Sequence, residues 1–158
     1  MNLRIGYGFD VHRLKEGNGI ILGGVKIPHT KSLVAHSDGD VLIHAICDAL
    51  LGAANMRDIG YHFPDTSADF KDIDSKILLE KTVNLIADKG YKIVNLDTTI
   101  CLQQPKIKDF IPEMQDVLSS TMNISKDNIN IKATTTERLG FEGREEGISA
   151  HCACLISS

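Results

Sequence analysis

Apolar residues recur along the chain at two spacings, one typical of helices and the other typical of strands. Spacings of three and four residues predict three amphipathic helices, at about 39–54, 74–89 and 109–121. Alternating apolar residues, or short continuous apolar runs, predict four strands, at about 2–14, 91–102, 128–136 and 148–157. Because strands and helices follow one another in mixed order, the pattern predicts an α+β fold, with a mixed β-sheet and helices packed on one of its faces.

The segments between these elements carry turn residues. The stretch 20–27 is apolar except for a break at Gly23 and Gly24, and it predicts a hairpin or a three-stranded meander with the first strand. Residues 55–74 are predicted to form a long loop, and loops of that length in compact domains are usually functional. A second, glycine-rich loop is predicted at 140–147.

The helix predicted at 39–54 carries polar residues that its apolar face does not explain. Asp38 or Asp40 is predicted to cap its first turn by accepting backbone N–H bonds. His44 and Asp48 lie four residues apart, and therefore on the same side of the helix. A histidine with a carboxylate one turn away suits metal ligation, because the second ring nitrogen needs a partner that fixes its tautomer. A structural histidine with satisfied hydrogen bonds is the alternative.

The first predicted strand supplies two more groups that bind metals. Side chains alternate along a strand, so Asp10 and His12 project from the same face. With His44 they make two imidazoles and one carboxylate, a set that leaves the fourth tetrahedral position of Zn²⁺ open and is typical of catalytic zinc. Fe²⁺ or Mn²⁺ accepts the same ligands. A local ion pair between Asp10 and His12 is the alternative.

Three threonines, Thr134 to Thr136, end the strand predicted at 128–136 and are followed by Glu137. Threonine favours strands, and this propensity alone would explain the run. Hydroxyls and backbone amides at a strand end are nevertheless good phosphate ligands, and Glu137 offers a hard oxygen suited to Mg²⁺ held against a phosphate. Arg144, between glycines and glutamates, is explained equally well by a surface ion pair.

The composition limits the classes of function. The chain has 158 residues, of which 42% are apolar and 24% charged, as is typical of one globular domain, 1–158. A net charge of −4 argues against binding nucleic acid or an anionic membrane through bulk basicity. No apolar run approaches the roughly 20 residues of a membrane span, and no signal-peptide pattern is present. We therefore expect a cytoplasmic protein with neither a nucleic-acid nor a membrane partner.

The four cysteines are expected to stay reduced. Cys47 falls in a helix pattern and Cys101 in a strand, while Cys152 and Cys154 share one strand face with apolar neighbours. Reduced thiols in such positions are typical of cytosolic proteins. A thiolate metal site formed by Cys101, Cys152 and Cys154 is the alternative.

With these residues in view, nearly the whole chain resembles the 2-C-methyl-D-erythritol 2,4-cyclodiphosphate synthases of the non-mevalonate isoprenoid pathway. The resemblance runs from Arg4 to Ile148 and depends on several motifs in the order and at the spacing of that family. These motifs are Gly8-Phe9-Asp10-Val11-His12, Ala35-His36-Ser37-Asp38-Gly39-Asp40, Asp58-Ile59-Gly60, Phe63-Pro64-Asp65, Pro105-Lys106 and Lys132-Ala133-Thr134-Thr135-Thr136-Glu137. Several are weak alone, but the combination is highly specific.

The resemblance implies an enzyme, and more narrowly a phosphorus–oxygen lyase. The family converts 4-diphosphocytidyl-2-C-methyl-D-erythritol 2-phosphate into the cyclic diphosphate and CMP, by attack of the 2-phosphate on the β-phosphorus. The second pKa of a phosphate monoester is about 6, so this nucleophile is already ionised near neutral pH and needs no general base. What remains is to bring two anionic phosphates together, which calls for positioning and for positive charge.

The resemblance also implies a role for each matched residue. Asp10, His12 and His44 would hold Zn²⁺ or another divalent ion, and Glu137 would help hold Mg²⁺ or Mn²⁺ between the α- and β-phosphates. The implied catalytic residues are His36, which orients the 2-phosphate, and Thr135, which stabilises charge in the transition state. The implied substrate contacts are Asp10, His12, His36 and Ser37 around the phosphates; Asp58, Ile59, Gly60, Phe63, Pro64, Asp65, Thr66 and Ser67 around the erythritol; Leu102, Pro105, Lys106, Ile107, Lys108 and Thr134 around the CMP part; and Thr135, Thr136, Glu137, Phe141 and Arg144.

The family forms homotrimers with active sites shared between neighbouring subunits. The resemblance therefore implies that trimer partners cover the second face of the sheet. Phe141 and Arg144 match positions near the threefold axis of the family, where Arg144 could hold an isoprenoid diphosphate or another anion. Two departures from the family pattern affect these expectations. Leu102 replaces a small residue near the cytosine pocket, and Glu145 adds a negative charge beside Arg144, which weakens the case for an anion there.

Two other functions stay open at this point. A zinc-dependent phosphoesterase would use metal-bound hydroxide and would incorporate solvent ¹⁸O into its phosphate product. A non-catalytic module would use zinc only to support its fold, and His44→Ala would then unfold the chain. The lack of a fourth protein ligand in the sequence pattern favours catalysis.

Overall fold

A five-stranded mixed sheet forms one layer of the molecule, and helices pack on one of its faces. The computed structural model describes residues 2–64, 66 and 72–158. The strands are β1 (Leu3–Glu16), β2 (Ile20–Leu22), β3 (Val25–Ile27), β4 (Lys31–Val34), β5 (Lys92–Cys101), β6 (Ile129–Thr134) and β7 (Gly147–Ser157). The helices are α1 (Val41–Ala53), α2 (Ile59–His62), α3 (Ser75–Asp88), α4 (Ile111–Met122) and α5 (Gly140–Gly143), with 3₁₀ turns at Lys108–Phe110 and Lys126–Asn128. The predicted α+β class is confirmed.

The strand order in the main sheet is β4-β1-β7-β5-β6. Every neighbouring pair is antiparallel except β5 and β6, which run parallel. The predicted hairpin is also present, because β2 and β3 pair antiparallel in a small separate sheet. Helix α1 packs on β1 and β7, α3 packs on α1, and α4 contacts β6. The core lies between this helix layer and the sheet, and α1 is buried along nearly its whole length.

Two glycines allow α1 to lie unusually close to β1. A Cβ atom built on Gly8 would come 1.9 Å from the carbonyl oxygen of Ala45, and one on Gly6 would come equally close to that of Ala49. No side chain fits into such a gap, so the helix backbone rests directly on the strand backbone. The same strand face continues into Asp10 and His12, which places both beside the helix that carries His44.

Three short elements depart from the expected loops. Strand β4, which pairs with the end of β1, was not anticipated, because Lys31–Val34 is only four residues long and half polar, without alternation. Helix α2 lies within the loop predicted at 55–74, and α5 lies within the glycine-rich loop predicted at 140–147. Each is only four residues long, which is too short for a hydrophobic period to show. These loop predictions were wrong over those residues.

The face of the sheet turned away from the helices is apolar along β1. Leu3, Ile5, Tyr7, Phe9 and Val11 alternate with the inward-facing residues, and all five are exposed, Ile5 by 77% and Tyr7 by 64%. An exposed apolar row of this length is typical of a surface that another protein covers. Within the described part of the chain, no helix has both the length and the apolar character needed to cross a membrane.

All four cysteines are free thiols. Cys152 and Cys154 point into the core as predicted, and burial raises the pKa of Cys154 to about 11. Cys101 pairs with Ser149 in the neighbouring strand, a register position that alternates with the two inward-facing cysteines. The alternative of a shared thiolate metal site is therefore wrong.

Candidate metal centre and active site

Three metal-ligating atoms meet where β1 passes over α1. Oδ2 of Asp10 lies 2.9 Å from Nε2 of His12 and 3.0 Å from Nδ1 of His44, and the two nitrogens are 3.1 Å apart. Ligands on a tetrahedral zinc ion, with bonds of about 2.0–2.1 Å, lie about 3.3 Å from one another. The observed triangle is only a few tenths of an ångström smaller. One divalent ion can therefore be bound by all three groups, as the sequence predicted.

The fold explains why these three atoms converge. Asp10 and His12 project from the same face of β1, as the alternation along the strand requires. His44 lies in the first turns of α1 and is 8% exposed. The helix is held in place by Asp40, which caps it by accepting a bond from the backbone N–H of Ile43.

The electrostatics of the triangle favour a cation. Burial alone would raise the pKa of the Asp10 carboxyl, but hydrogen bonds to His12 and His44 outweigh it and lower the pKa to about 2. Burial alone would lower the pKa of His44, but the hydrogen bond to Asp10 outweighs it and raises the pKa. The site therefore places a carboxylate beside an imidazole that holds its proton more strongly than an ordinary histidine does, and a metal ion bound there competes with that proton.

A cavity of about 200 Å³ opens beside the three ligands. It brings together many of the predicted substrate-contacting residues, namely Asp10, His12, His36, Ser37, Ile59, Gly60 and Phe63. The Nε2 atom of His36 is buried and has no hydrogen-bond partner in the described part of the chain. Three described ligands and an adjoining cavity are what an open, catalytic metal site requires.

The other predicted residues of the erythritol group are arranged differently. Asp58 caps α2 by accepting a bond from the backbone N–H of Tyr61 at 2.9 Å. Pro64 and Thr66 are exposed and are not among the residues that line the cavity. Asp65 and Ser67 lie outside the described residues, so their predicted contacts remain predictions.

A second cavity, of about 170 Å³, collects the residues predicted to hold the CMP part. It is lined by Leu102, Gln103, Pro105, Lys106, Ile107, Lys108, Ala133, Thr134 and Thr135. Gln103 lies within the segment from Leu102 to Lys108 that was expected to hold the CMP part, and Ala133, which was not predicted as a contact, lies within the motif from Lys132 to Glu137. This cavity shares no lining residue with the one beside the metal ligands, so a single chain presents two separate half-sites.

Glu137 and its threonines lie beyond the end of β6. The hydroxyl of Thr135 donates to Oε1 of Glu137 at 3.1 Å, and that of Thr136 donates to the carbonyl of Leu139 at 2.6 Å. Glu137 is exposed and belongs to no group of three metal ligands in the described part of the chain. Its role at a second ion stays a prediction.

Phe141 lies within α5, and Arg144 follows directly after it. Phe141 lines a third cavity with Phe9, Val11, His12, Arg13, Glu146 and Gly147. Arg144 forms an ion pair with Glu146, at 2.8 Å from Nε to Oε1. Glu145 instead faces Lys31, at 3.7 Å. Arg144 thus has an acidic partner in its own chain, as the surface ion-pair interpretation expected.

The prediction that Asp48 is the hydrogen-bond partner of His44 was wrong. Asp48 accepts a hydrogen bond from the backbone N–H of Ile59 at 2.7 Å and so connects α1 to α2. Nε2 of His44 contacts the hydroxyl of Ser75 at 2.9 Å instead. Helical spacing could identify a neighbour within α1, but Ser75 lies 31 residues away, at the start of another helix. No local sequence signal marks such a contact.

Comparisons with known proteins agree with this geometry. The model of the YgbB family matches residues 3–157. A protein of Bacteroides fragilis named 2-C-methyl-D-erythritol 2,4-cyclodiphosphate synthase is 64% identical over 157 residues, which is 99% of each chain. The solved bifunctional IspDF of Campylobacter jejuni is similar with a TM-score of 0.94 and 42% identity, over 98% of this chain and 42% of that one. IspF of Plasmodium falciparum, solved as a CDP complex, is similar with a TM-score of 0.86 and 35% identity, over 98% of this chain and 96% of that one.

Proposed function

The chain belongs to the YgbB family, and on that premise we propose that it is a 2-C-methyl-D-erythritol 2,4-cyclodiphosphate synthase of the non-mevalonate isoprenoid pathway. Its substrate is 4-diphosphocytidyl-2-C-methyl-D-erythritol 2-phosphate. An oxygen of the 2-phosphate forms a bond to the β-phosphorus, and the bond from that phosphorus to the oxygen bridging to the α-phosphorus breaks. CMP leaves with the bridging oxygen and its electron pair, so no water is consumed. The enzyme is therefore a phosphorus–oxygen lyase.

The convergence of Asp10, His12 and His44 beside a cavity is the observation that carries this proposal. These residues would hold Zn²⁺ or another divalent ion, and Glu137 would contribute to binding of Mg²⁺ or Mn²⁺. Such ions neutralise phosphate oxygens and polarise the phosphorus, which supplies the positive charge that a chain of net charge −4 lacks.

His36 and Ser37 position the nucleophile. Both line the cavity beside the metal ligands, and the unpartnered Nε2 atom of His36 is available to a phosphate oxygen. Because the 2-phosphate is already ionised near neutral pH, these residues bind and orient it without removing a proton. Ile59, Gly60 and Phe63, on the same cavity wall, exclude water from the erythritol part.

The second cavity takes the CMP part. Its wall combines apolar groups such as Leu102 and Ile107 with Lys106 and the hydroxyl of Thr134, which suits a pyrimidine ring flanked by phosphate. A relative that is 35% identical was solved as a CDP complex, which supports a cytidine nucleotide as ligand. Thr135, at the edge of the same cavity, would stabilise charge that develops at the phosphates.

The assembly that unites the two cavities is a homotrimer. One substrate must reach both the metal ligands and the nucleotide pocket, yet the two cavities of one chain have no common wall. The exposed apolar row on β1 provides the surface for association. In this assembly each active site combines the metal ligands of one subunit with the nucleotide pocket of its neighbour. We place the protein in the cytoplasm, where its four thiols stay reduced.

The test is direct. Purified protein is incubated with the cytidylyl substrate and Mg²⁺ in water enriched in ¹⁸O, and the products are followed by ³¹P NMR and mass spectrometry. Cyclic diphosphate and CMP without ¹⁸O are expected. Phosphate products that carry ¹⁸O would show a hydrolase, and an unchanged substrate would remove the proposal.

A further inference from the structure

The second ring nitrogen of His44 enters a short hydrogen-bonded chain that ends on a carboxylate. Nε2 of His44 lies 2.9 Å from the hydroxyl oxygen of Ser75, and that hydroxyl lies 2.5 Å from Oδ1 of Asp38. Ser75 is fully buried. The other oxygen of Asp38 accepts the backbone N–H of Ser75 at 2.9 Å, so both carboxylate oxygens contact the same residue.

The number of available hydrogens fixes which group donates in each of these two hydrogen bonds. A carboxylate only accepts, and a serine hydroxyl has one proton to donate. Since that proton goes to Asp38, the oxygen of Ser75 can only accept from His44. A hydrogen is therefore on Nε2. Without an ion, the contact of Nδ1 with the carboxylate of Asp10 requires a hydrogen on Nδ1 as well. A metal ion displaces that second hydrogen, and Nδ1 then turns its lone pair to the ion while Nε2 keeps its hydrogen.

We propose that Asp38 and Ser75 are positioning residues that keep the proton of His44 on Nε2, so that Nδ1 is presented to the metal. This inference rests on the proposed metal-dependent function. Histidine ligands generally have their second nitrogen bonded to a carboxylate or a carbonyl, which fixes the tautomer and the ring orientation. Here the carboxylate acts through a serine, and it comes from the loop before α1, while the serine begins α3.

Ser37 is the competing acceptor. Its hydroxyl lies 3.2 Å from Nε2 of His44, which is longer than the contact with Ser75. It also accepts a weak bond from the backbone N–H of Gly39 at 3.3 Å, and it lines the cavity, where substrate can compete for it. The hydroxyl of Ser75 is buried and already oriented by Asp38, so it holds the ring with the smaller loss of entropy.

Asp38 and Ser75 also join two parts of the fold, and this structural role must be separated from the proposed one. The backbone N–H of Asp38 donates to the carbonyl of Ile73 at 3.2 Å, next to the contacts with Ser75. Loss of activity in a variant would therefore be ambiguous. The position and hydrogen bonding of the ring hydrogen of His44 in the zinc-loaded protein are not ambiguous, because a purely structural Ser75 would place no requirement on them.

The first measurement is a long-range ¹H–¹⁵N correlation spectrum of the histidine rings in the zinc-loaded protein. We expect His44 to carry its hydrogen on Nε2, with a hydrogen-bonded signal that shifts and exchanges faster with water in Ser75→Ala. A native ring with its hydrogen on Nδ1 would overturn the proposal without reference to any variant.

The second measurement is the zinc affinity by competition with a chromophoric chelator, with no substrate present. Ser75→Ala should weaken zinc binding about 10- to 100-fold. Thr82→Ala removes another buried hydroxyl two turns along the same helix and should leave the affinity within about twofold. Ser37→Ala should have a smaller effect than Ser75→Ala. If Ser75→Ala binds zinc as tightly as the native chain, the positioning role is wrong; if the native chain itself binds no zinc, the proposed metal centre fails first.

Discussion

The metal ligands and the segment from Thr134 to Glu137 serve the same proposed reaction but are held in different ways. Asp10 and His12 lie within β1 and His44 in a buried helix, and their ligand atoms meet within 3.1 Å. Glu137 is exposed, lies beyond the end of β6 and adopts a φ of 55°, which a non-glycine residue seldom does. A single chain thus builds one half of the site completely and leaves the other half open.

This contrast indicates what each half depends on. The triangle of ligands is preorganised by regular elements whose own packing fixes the side chains, and such sites keep their geometry when the ion leaves. The threonines and Glu137 bond mainly to one another and to Leu139, and Glu137 is exposed. Under the proposed function, substrate, a second ion and a neighbouring subunit would complete their contacts. Substitutions in the first half should therefore disturb the ion directly, and those in the second half should be felt mainly in turnover.

The largest effect is expected for His44→Ala. Removing one of three ligands should abolish measurable zinc binding and lower kcat/KM by about 1000-fold, since metal stabilisation of a phosphoryl transition state is worth several kcal/mol. Zinc content by mass spectrometry and the ³¹P NMR assay provide the measurements. His29 lines none of the three cavities described above, so His29→Ala should keep the native zinc content and turnover.

The same variant separates catalysis from structure. Under the proposed function, His44→Ala keeps its circular dichroism spectrum and its trimeric mass in light scattering while turnover is lost. Unfolding of this variant, with native behaviour of His29→Ala, would instead favour a zinc ion that only supports the fold.

Gly8→Ala should disturb the preorganised half without touching any ligand. The new Cβ would fall 1.9 Å from the carbonyl oxygen of Ala45, so α1 must move away from β1 and carry His44 with it. We expect a loss of about 3 kcal/mol in the free energy of unfolding, together with weaker zinc binding. Gly52→Ala is the matched control, because a Cβ there meets nothing within 4 Å. It should be neutral or stabilise the chain by up to about 1 kcal/mol.

The sequence predicted the regular half of this site better than its connections. Alternation along a strand placed Asp10 and His12 on one face, and the ligand types together with the family resemblance added His44 from the helix that follows. Ser75 could not be found in this way, because its contact with His44 depends on how α3 packs against α1. Helix α2 and strand β4 were missed for a related reason. Four residues are too few to show a period, and their formation depends on caps and pairings supplied from elsewhere.

Glu137→Gln tests the open half. Replacing the carboxylate with a neutral amide removes a charged ligand for Mg²⁺, and we expect kcat to fall about 30-fold while the Mg²⁺ concentration for half-maximal activity rises. Zinc affinity should stay within about twofold, because Glu137 is no part of the triangle. Glu113→Gln, an exposed glutamate on α4, serves as control. Equal loss of zinc and of activity in Glu137→Gln would contradict the division of the site into two halves.

The smallest expected effect is a pH dependence confined to the preorganised half. The pKa of His44 is raised, mainly because the hydrogen bond to Asp10 outweighs its burial, so the ring holds its proton to a higher pH than an ordinary histidine. Zinc must displace that proton. Apparent affinity should thus be independent of His44 above this pKa and fall at least about tenfold per pH unit below it. Asp10, with a pKa of about 2, stays ionised throughout this range and should add no further slope. Chelator competition at successive pH values measures the zinc affinity, and calorimetry measures the protons released on binding. A zinc affinity that does not change between pH 5 and 8 would mean that His44 does not bind the ion, and the contrast between the two halves of the site would then have no basis.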